Sequence, residues 1–165
     1  GDSEVMFEVT LPEHAPAGRT ELVVVTPGGR SAGQALVIDA AGTTAAEQEP
    51  NDGFAQAQAI EAGLTILGTI QQAKDVDVYR FRGKAGEEVV CEVEANRLGV
   101  PLDALLLVFT SEGQLLGSND EFAFGESAHR DPRLELKLPA DGEYLVAVMD
   151  ASDTGTAGHA YRLSV

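Results

Sequence analysis

Apolar and polar residues alternate along most of this chain with the two-residue period of β-strands, and Gly, Pro, Asn and Asp separate the runs. This pattern predicts strands at 5–11, 20–26, 34–39, 64–70, 77–82, 87–95, 103–110, 114–117, 134–138, 143–149 and 159–165. Regularly spaced strands joined by turns indicate an all-β fold, an antiparallel sandwich or jelly roll. A short helix is predicted only over residues 53–60, with Asp52 as its N-cap.

Two of the predicted strands, 103–110 and 143–149, are apolar at almost every position. A strand with one face in water alternates between apolar and polar side chains, whereas a strand covered on both faces does not. These two strands are therefore predicted to lie centrally and to be covered on both sides.

A stretch of small, uncharged residues at 41–46 has the composition of a linker. It divides the chain into residues 1–40 and residues 47–165. Three strands cannot build an independent core. Residues 1–40 are therefore either the end of a preceding sandwich domain, which we favour, or an extension that packs on the second unit.

The charge of the chain excludes some classes of partner. Its 27 acidic and 11 basic residues give a net charge of −16, whereas proteins that bind nucleic acids or anionic membranes concentrate Lys and Arg. No segment approaches the roughly 20 apolar residues of a membrane span, so no membrane insertion is expected. General solubility accounts for most of the acidity, except where carboxylates cluster.

Cys91 is the one cysteine, so no disulfide forms within the chain. It alternates with valines in a predicted strand, and we expect a buried thiol without reactivity. A secreted protein without disulfides often relies on another cross-link, and a metal ion is the obvious candidate.

Two clusters of oxygen-bearing side chains suggest such an ion. The first comprises Glu47, Glu49, Asn51 and Asp52, and the second comprises Asp75 and Asp77. Ca²⁺ takes six to eight oxygen ligands, so the two clusters together could hold it if the fold joins them. The alternation of strand 77–82 turns Asp77 inward with two aromatic residues. A buried carboxylate then needs a basic partner, backbone amides or a cation.

Several motifs follow one another in a recognisable order from residue 46 to residue 165. They are Glu-Pro-Asn-Asp at 49–52, Gly-Thr-Ile at 68–70, Asp-Val-Asp-Val-Tyr-Arg-Phe at 75–81, Gly-Val-Pro-Leu-Asp at 99–103, Ser-Asn-Asp at 118–120, Asp-Pro-Arg-Leu at 131–134, Leu-Pro-Ala-Asp-Gly-Glu-Tyr at 138–144 and a closing Tyr-Arg-Leu-Ser-Val. The ordered set resembles the bacterial pre-peptidase C-terminal domain, a family that includes the collagen-binding domains of clostridial collagenases. Residues 20–38 resemble the last strands of an immunoglobulin-like TIG-type domain.

The resemblance implies a jelly-roll β-sandwich with calcium held between an N-terminal acidic segment and a later pair of aspartates. The acidic segment has the form Glu-x-Glu-x-Asn-Asp, which Glu47, Glu49, Asn51 and Asp52 fill, and the later pair corresponds to Asp75 and Asp77. The aromatic collagen-binding surface of the family does not carry over, because the chain has no Trp and only 5% aromatic residues.

A further set of polar residues could form a second metal site, although structural hydrogen bonding is the favoured interpretation. It comprises Asp103, Asn119, Asp120 and Asp131, with Glu121 and Asp150 beside them.

No catalytic motif is recognised. His14, His129 and His159 lie in or beside turns and are predicted to be exposed, and none of them has metalloprotease spacing. Ser127, His129 and Asp131 are close in sequence, but a triad is defined by its geometry in space. The chain is therefore predicted to be a non-catalytic module and not an enzyme.

The sequence thus predicts a calcium-binding module of a larger bacterial protein, secreted or at the cell surface. Such a module would anchor or recognise an extracellular polymer, a polysaccharide or a matrix protein, for the neighbouring domains of the same polypeptide. The alternative is a C-terminal segment that assists secretion or latency of a hydrolase and is removed by proteolysis.

Overall fold

The computed structural model of the protein describes residues 8–12, 15–121 and 130–165. The chain divides into two compact units, residues 1–40 and residues 41–165. Among the described residues, no helix is long and apolar enough to cross a membrane.

The described part of the first unit consists of two pairs of antiparallel strands. They are β1 (Gly18–Leu22) with β4 (Gln34–Ile38), and β2 (Val25–Thr26) with β3 (Gly29–Arg30). Residues 8–11 belong to no strand, so that part of the predicted strand 5–11 is wrong, and residues 5–7 lie outside the described residues. The resemblance to a TIG-type domain stays a prediction.

The second unit is a sandwich of two five-stranded sheets, which confirms the predicted fold class. In chain order its strands are β5 (Thr44–Ala46), β6 (Gln58–Ala59), β7 (Thr65–Thr69), β8 (Val76–Gly83), β9 (Glu88–Glu94), β10 (Ala104–Thr110), β11 (Leu115–Asn119), β12 (Arg133–Lys137), β13 (Gly142–Asp150) and β14 (Ala160–Ser164). A 3₁₀ helix, Asn96–Leu98, follows β9.

Sheet I has the strand order β11-β10-β13-β8-β6, and sheet II has the order β12-β9-β14-β7-β5. Neighbouring strands are antiparallel except at one edge of each sheet, where β6 runs parallel to β8 and β5 runs parallel to β7. Both parallel edge strands belong to the segment that enters the sandwich, residues 44–59.

The core lies between the sheets because each strand turns alternate side chains inward. On β8 the inward residues are Asp77, Tyr79 and Phe81, all nearly inaccessible to solvent, as the alternation predicts. The other large buried side chains include Ile66, Ile70, Val93, Leu102, Leu106, Val108, Leu138, Val146 and Leu163.

The strands that are apolar throughout, β10 and β13, lie at inner positions of sheet I, as predicted, and they are neighbours there. Part of the outer face of sheet I is covered by the segment before β6. Ala57 of that segment is buried against Val78, Leu145 and Ala147. The second cover that the sequence predicted therefore comes from the chain's own entering segment.

Two local predictions differ from the structure. Residues 53–60 form a turn, with the Gln56 N–H donating to the Gly53 carbonyl, followed by β6, so the predicted helix is wrong. Pairing of β6 with β8 and burial of Ala57 outweigh the helix propensity of the Ala- and Gln-rich sequence. The stretch 41–46, predicted as a linker, contributes β5 to sheet II.

Candidate metal centre

The six predicted ligands come from two parts of the second unit. Four of them lie in the segment between β5 and β6, Asp75 directly precedes β8, and Asp77 is the second residue of β8. Backbone hydrogen bonds hold the segment at both ends: the Glu47 N–H donates to Leu67 O of β7, and the Val78 N–H donates to Asn51 O. Between Glu47 and Asn51 the chain therefore passes from sheet II to sheet I.

The five carboxylates converge in two overlapping groups, Glu47 with Glu49 and Asp77, and Glu49 with Asp52 and Asp75. In each group, one oxygen from each residue lies within 4.8 Å of the others. Glu49 belongs to both groups. The structure thus brings together the two acidic clusters, which are more than twenty residues apart in the chain.

Hydrogen bonds fix the orientation of these carboxylates. Thr69 N–H donates to Glu47 Oε2 at 2.9 Å, and Asn51 N–H donates to Glu49 Oε2 at 2.9 Å. Gln71 donates twice, from its backbone to Asp75 Oδ2 at 2.6 Å and from its side chain to Glu49 Oε1 at 2.9 Å. Each of these three carboxylates is therefore held by at least one amide before any ligand is considered.

Two buried oxygens of the cluster have no hydrogen-bond partner among the described residues, Asn51 Oδ1 and Asp77 Oδ1. Both residues are completely buried. The Asn51 amide nitrogen donates to Glu47 Oε1 at 3.2 Å, whereas no group donates to the amide oxygen among the described residues. An unsatisfied buried oxygen costs about 1–3 kcal/mol, and more when it is charged, so two of them in one cluster require an explanation.

Burial and neighbouring carboxylates disfavour the negative charge of two members of the cluster. Burial raises the pKa of Asp77 to about 9, and Glu47 and Asp75 add to this, against the hydrogen bond from Tyr161. The pKa of Glu49 is also raised, by desolvation and by the carboxylates around it, with the Asn51 N–H opposing. No Lys or Arg forms an ion pair with these carboxylates among the described residues.

Two buried tyrosines connect the cluster to both sheets. The Tyr161 hydroxyl of β14 donates to Asp77 Oδ2 at 2.6 Å and lies 2.5 Å from the Tyr79 hydroxyl of β8. The Tyr79 hydroxyl donates to Glu47 Oε1 at 3.1 Å. Burial raises the pKa of both phenols, so both stay protonated and act as donors.

Gly68 makes room for this arrangement. It is the cross-strand partner of Tyr161, and a Cβ built on it would overlap the Tyr161 ring and hydroxyl. The ring therefore lies across β7 at a position where any other residue would displace it.

The structure adds residues to the site that the sequence did not predict: Tyr79, Tyr161, Gln71, Thr69 and Gly68. A signal existed for Tyr79, because the alternation of β8 places it on the inward face beside Asp77. Tyr161 could not be assigned from the sequence, because its place beside the cluster depends on the position of β14 between β7 and β9 in sheet II.

The second predicted polar set is occupied by structural hydrogen bonds. Asp131 is completely buried and accepts three backbone N–H groups, those of residues 95–97. Asp103 pairs with Arg130 at 3.3 Å, and Asn119 donates from its side chain to Arg133 O. Asp150 accepts from Asp103 N–H and from residues 152 and 154. Asp120 and Glu121 are exposed. Within the described ranges, these residues form no group with metal-binding spacing.

One histidine differs from its prediction. His159 was expected to be exposed, but it is buried, with ring nitrogens 2.9 Å from the Thr156 hydroxyl and 3.4 Å from the Thr154 hydroxyl. The compact turns before β14 enclose it. His14, Ser127 and His129 lie outside the described residues.

The chain is similar in sequence to part of one known protein and in fold to a solved domain. No family model matches the chain. A probable subtilase-type serine protease of Deinococcus radiodurans is 39% identical over 103 residues, which is 61% of this chain and 14% of that protein. The chain thus corresponds to a small part of that relative.

Among solved structures, the pre-peptidase C-terminal domain of a Bacillus anthracis collagenase matches with a TM-score of 0.52 and 16% identity, over 72% of this chain and 98% of that domain. The predicted resemblance to this domain is confirmed at the level of fold. PliG of Aeromonas hydrophila, a periplasmic inhibitor of g-type lysozyme, matches with a TM-score of 0.45 and 18% identity over 66% of this chain and 96% of its own, too weak a likeness to indicate a shared fold.

Proposed function

We propose that the second unit binds Ca²⁺ through Glu47, Glu49, Asn51, Asp52, Asp75 and Asp77. The observation that carries this proposal is the pair of buried oxygens without donors, Asn51 Oδ1 and Asp77 Oδ1, inside a cluster of five carboxylates. A cation supplies what both oxygens lack and also neutralises the carboxylates that surround them.

The donor set fits calcium by its chemistry. Five carboxylates and one amide oxygen are hard ligands, and carboxylates that bind with one or two oxygens complete the six to eight positions of Ca²⁺. There is no thiol or imidazole in the set, as a site for zinc or copper would require. The two carboxylate groups that share Glu49 provide for one ion or for two adjacent ions.

Bound calcium would act as a clamp on the fold. The segment 47–52 supplies four ligands and β8 with its preceding residue supplies two, so an ion ties the entering segment to the sandwich. Without an ion, the carboxylates repel each other at separations of a few ångströms, and the segment is held only by its hydrogen bonds.

Thermal unfolding of the full chain in calcium and in chelator tests the clamp. At a calcium concentration of about 100 times Kd, the stabilisation is about 2.7 kcal/mol, and we expect a rise of roughly 10 °C in Tm. Asp77→Asn should lose this rise, whereas Asp120→Asn, the same change at an exposed position, should retain it. Equal midpoints in calcium and chelator for the unmodified protein would contradict the proposal.

We propose that this module is a non-catalytic accessory domain of a larger bacterial protein that works outside the cytoplasm. The match to a part of a subtilase-type protease and the shared fold with a collagenase domain support this role. The module would anchor or recognise a polysaccharide or a matrix protein for its neighbouring domains. Binding of the full chain to a panel of such polymers, with calcium and with chelator, checks this part separately from the metal site.

A further inference from the structure

Two connections between the sheets lie against each other at one end of the sandwich. Residues 70–75, which we call the ligand loop, join β7 to β8, and residues 151–159, which we call the support turn, join β13 to β14. Because β14 pairs with β7 in sheet II and β13 pairs with β8 in sheet I, both connections cross between the sheets at the same end. The ligand loop contains Asp75 and leads into Asp77, two of the proposed calcium ligands.

Backbone hydrogen bonds join the two connections near both ends of the ligand loop. Ile70 N–H donates to His159 O at 3.1 Å, and Lys74 N–H donates to Asp153 O at 3.3 Å. Lys74 and Asp153 have φ angles of 66° and 56°, a left-handed conformation that residues with a side chain adopt infrequently. The contact therefore requires a defined backbone conformation on both sides.

Side-chain hydrogen bonds brace the support turn internally. Asp150 Oδ1 accepts the N–H groups of Ser152 and Thr154, at 2.9 and 3.1 Å, and the Thr154 hydroxyl at 3.0 Å. The ring of His159 lies between the hydroxyls of Thr154 and Thr156. Because these bonds hold the turn in one conformation, we expect a clash at one of its residues to displace the ligand loop rather than the turn.

Gly155 of the support turn packs directly on the backbone of the ligand loop. A Cβ built on it would overlap the Gln72 carbonyl oxygen and lie 2.5 Å from the Gln72 carbonyl carbon. Its φ angle lies outside the left-handed region, so the conformation of the backbone does not require glycine here. The close approach of Gln72 is what requires it.

Gln72 is connected to two of the proposed ligands. Its carbonyl accepts the Asp75 N–H at 3.2 Å, which closes the ligand loop. The adjacent Gln71 donates from its backbone to Asp75 Oδ2 and from its side chain to Glu49 Oε1. Among the described residues, no member of the support turn belongs to the two carboxylate groups, so its effect on these ligands passes through the ligand loop.

We propose that Gly155 is a positioning residue of the calcium site. Its lack of a side chain lets the support turn lie on Gln72, and this contact holds Gln71 where it orients Asp75 and Glu49. The inference rests on the proposed calcium site and adds to it a part of the chain that binds no ion. Residues that orient metal ligands typically change metal affinity by about 10–100-fold when they are replaced. Gly155→Ala should therefore weaken calcium binding at least about tenfold.

Calorimetric titration of the full chain with calcium tests this role, with Gly158→Ala as the matched control. Gly158 lies in the same turn, and a Cβ built on it would meet one atom within 4 Å, the Thr156 hydroxyl oxygen at 3.5 Å, which is an ordinary contact. Gly158→Ala should therefore keep Kd within about threefold. An equal loss in both variants, or an unchanged Kd for Gly155→Ala while the unmodified protein binds calcium, would overturn the positioning role. Absence of calcium binding by the unmodified protein would instead refute the metal centre, and this inference with it.

NMR spectra in chelator test the displacement of the ligand loop without an ion. The amide signals of residues 71–75 should shift more in Gly155→Ala than in Gly158→Ala, because the added Cβ pushes on Gln72 whether or not calcium is bound. Equal shifts in the two variants would contradict the proposal.

A second variant tests the support turn without adding an atom against Gln72. Thr154→Val removes the hydroxyl that donates to Asp150 and should weaken calcium binding about threefold or more. Thr65→Val, the same change at the opposite end of β7, removes a hydroxyl that contacts Ser164 and should leave the affinity unchanged. Unchanged affinity in Thr154→Val, or an equal loss in Thr65→Val, would refute the role of the support turn.

Discussion

Replacement of Tyr161 by phenylalanine tests whether the tyrosine pair belongs to the proposed metal centre or only to the core. The change removes one hydroxyl and leaves the ring in place over Gly68. That hydroxyl donates to Asp77 Oδ2 at 2.6 Å and contacts the Tyr79 hydroxyl at 2.5 Å. With the bond gone, Asp77 loses the hydroxyl that donates to its Oδ2, while its Oδ1 has no hydrogen-bond partner among the described residues.

The magnitude depends on the charge of Asp77. A hydrogen bond to a charged group contributes about 1.5–3 kcal/mol, and a neutral one contributes about 0.5–1.5 kcal/mol. Bound calcium would keep Asp77 ionised, whereas without an ion burial raises the pKa of this carboxyl to about 9. Tyr161→Phe should therefore cost about 1–1.5 kcal/mol more with calcium than in chelator, which corresponds to a roughly tenfold weaker calcium affinity.

Calorimetric titration with calcium and thermal unfolding in both conditions measure these two quantities. Tyr144→Phe is the matched control, because its buried hydroxyl donates to Ala140 O at 2.6 Å, away from the carboxylates. This control should lose the same stability in calcium and in chelator and keep its affinity. If Tyr161→Phe behaves like Tyr144→Phe, the phenol has a packing role only, and our account of its orientation of Asp77 is refuted.

Three further predictions concern other parts of the second unit. Gly68→Ala should destabilise the protein by about 1–3 kcal/mol in urea unfolding, because the added Cβ displaces the Tyr161 ring, whereas Gly142→Ala, where a Cβ meets no atom within 4 Å, should cost less. Burial would raise the pKa of Glu92, but hydrogen bonds from Arg97 and Arg133 outweigh burial and lower it. The ionised Glu92 therefore stabilises the fold fully above its unfolded pKa of about 4.3, and this stabilisation is lost as the pH falls through the lower pKa of the folded state. Glu92→Gln should accordingly flatten the loss of stability between about pH 5 and pH 3, measured by urea unfolding, and an unchanged slope would contradict this. Cys91 is completely buried and its pKa is raised by burial to about 12, so a thiol reagent at about pH 8 should label it only after unfolding, and rapid labelling of the native protein would show that the strand opens.

The sandwich could be predicted because the alternation of apolar and polar residues within each strand shows which face is buried. Alternation on β8 identified its inward face, and uninterrupted apolar runs identified β10 and β13 as central strands. Where pairing with a distant strand determines the secondary structure, the local sequence pattern gave the wrong prediction. Residues 53–60 have a helical composition, yet β6 forms because β8 offers a free edge beside it. Likewise, the stretch 41–46 is as small and uncharged as a linker, but its last three residues pair with β7.

The candidate site likewise has residues that could be predicted from the sequence and residues that could not. The acidic motif and the two later aspartates could be identified in the sequence, since carboxylate clustering is a property of composition and spacing. Their partners could not be identified, because Tyr161 lies 84 residues beyond Asp77 and meets it only where the two sheets pack together. The burial of His159 was missed for a similar reason: it depends on the two threonine hydroxyls that flank its ring, and a turn-rich sequence does not show that such a turn is enclosed.

The position of the centre changes what an ion would do for the protein. Glu47 receives a hydrogen bond from Tyr79 of sheet I and another from Thr69 of sheet II, while Asp77 of sheet I receives one from Tyr161 of sheet II. The carboxylates are therefore linked to both layers of the sandwich, as well as to the entering segment. A cation bound by them would strengthen the contact between the layers, so its loss should lower the stability of the whole unit and not only release residues 47–52. Hydrogen exchange in calcium and in chelator distinguishes an effect on the whole unit from a local release of residues 47–52. If the ion links the layers, chelator should accelerate amide exchange in β14 and β8 together. If it only clamps the segment, exchange in both strands should stay unchanged.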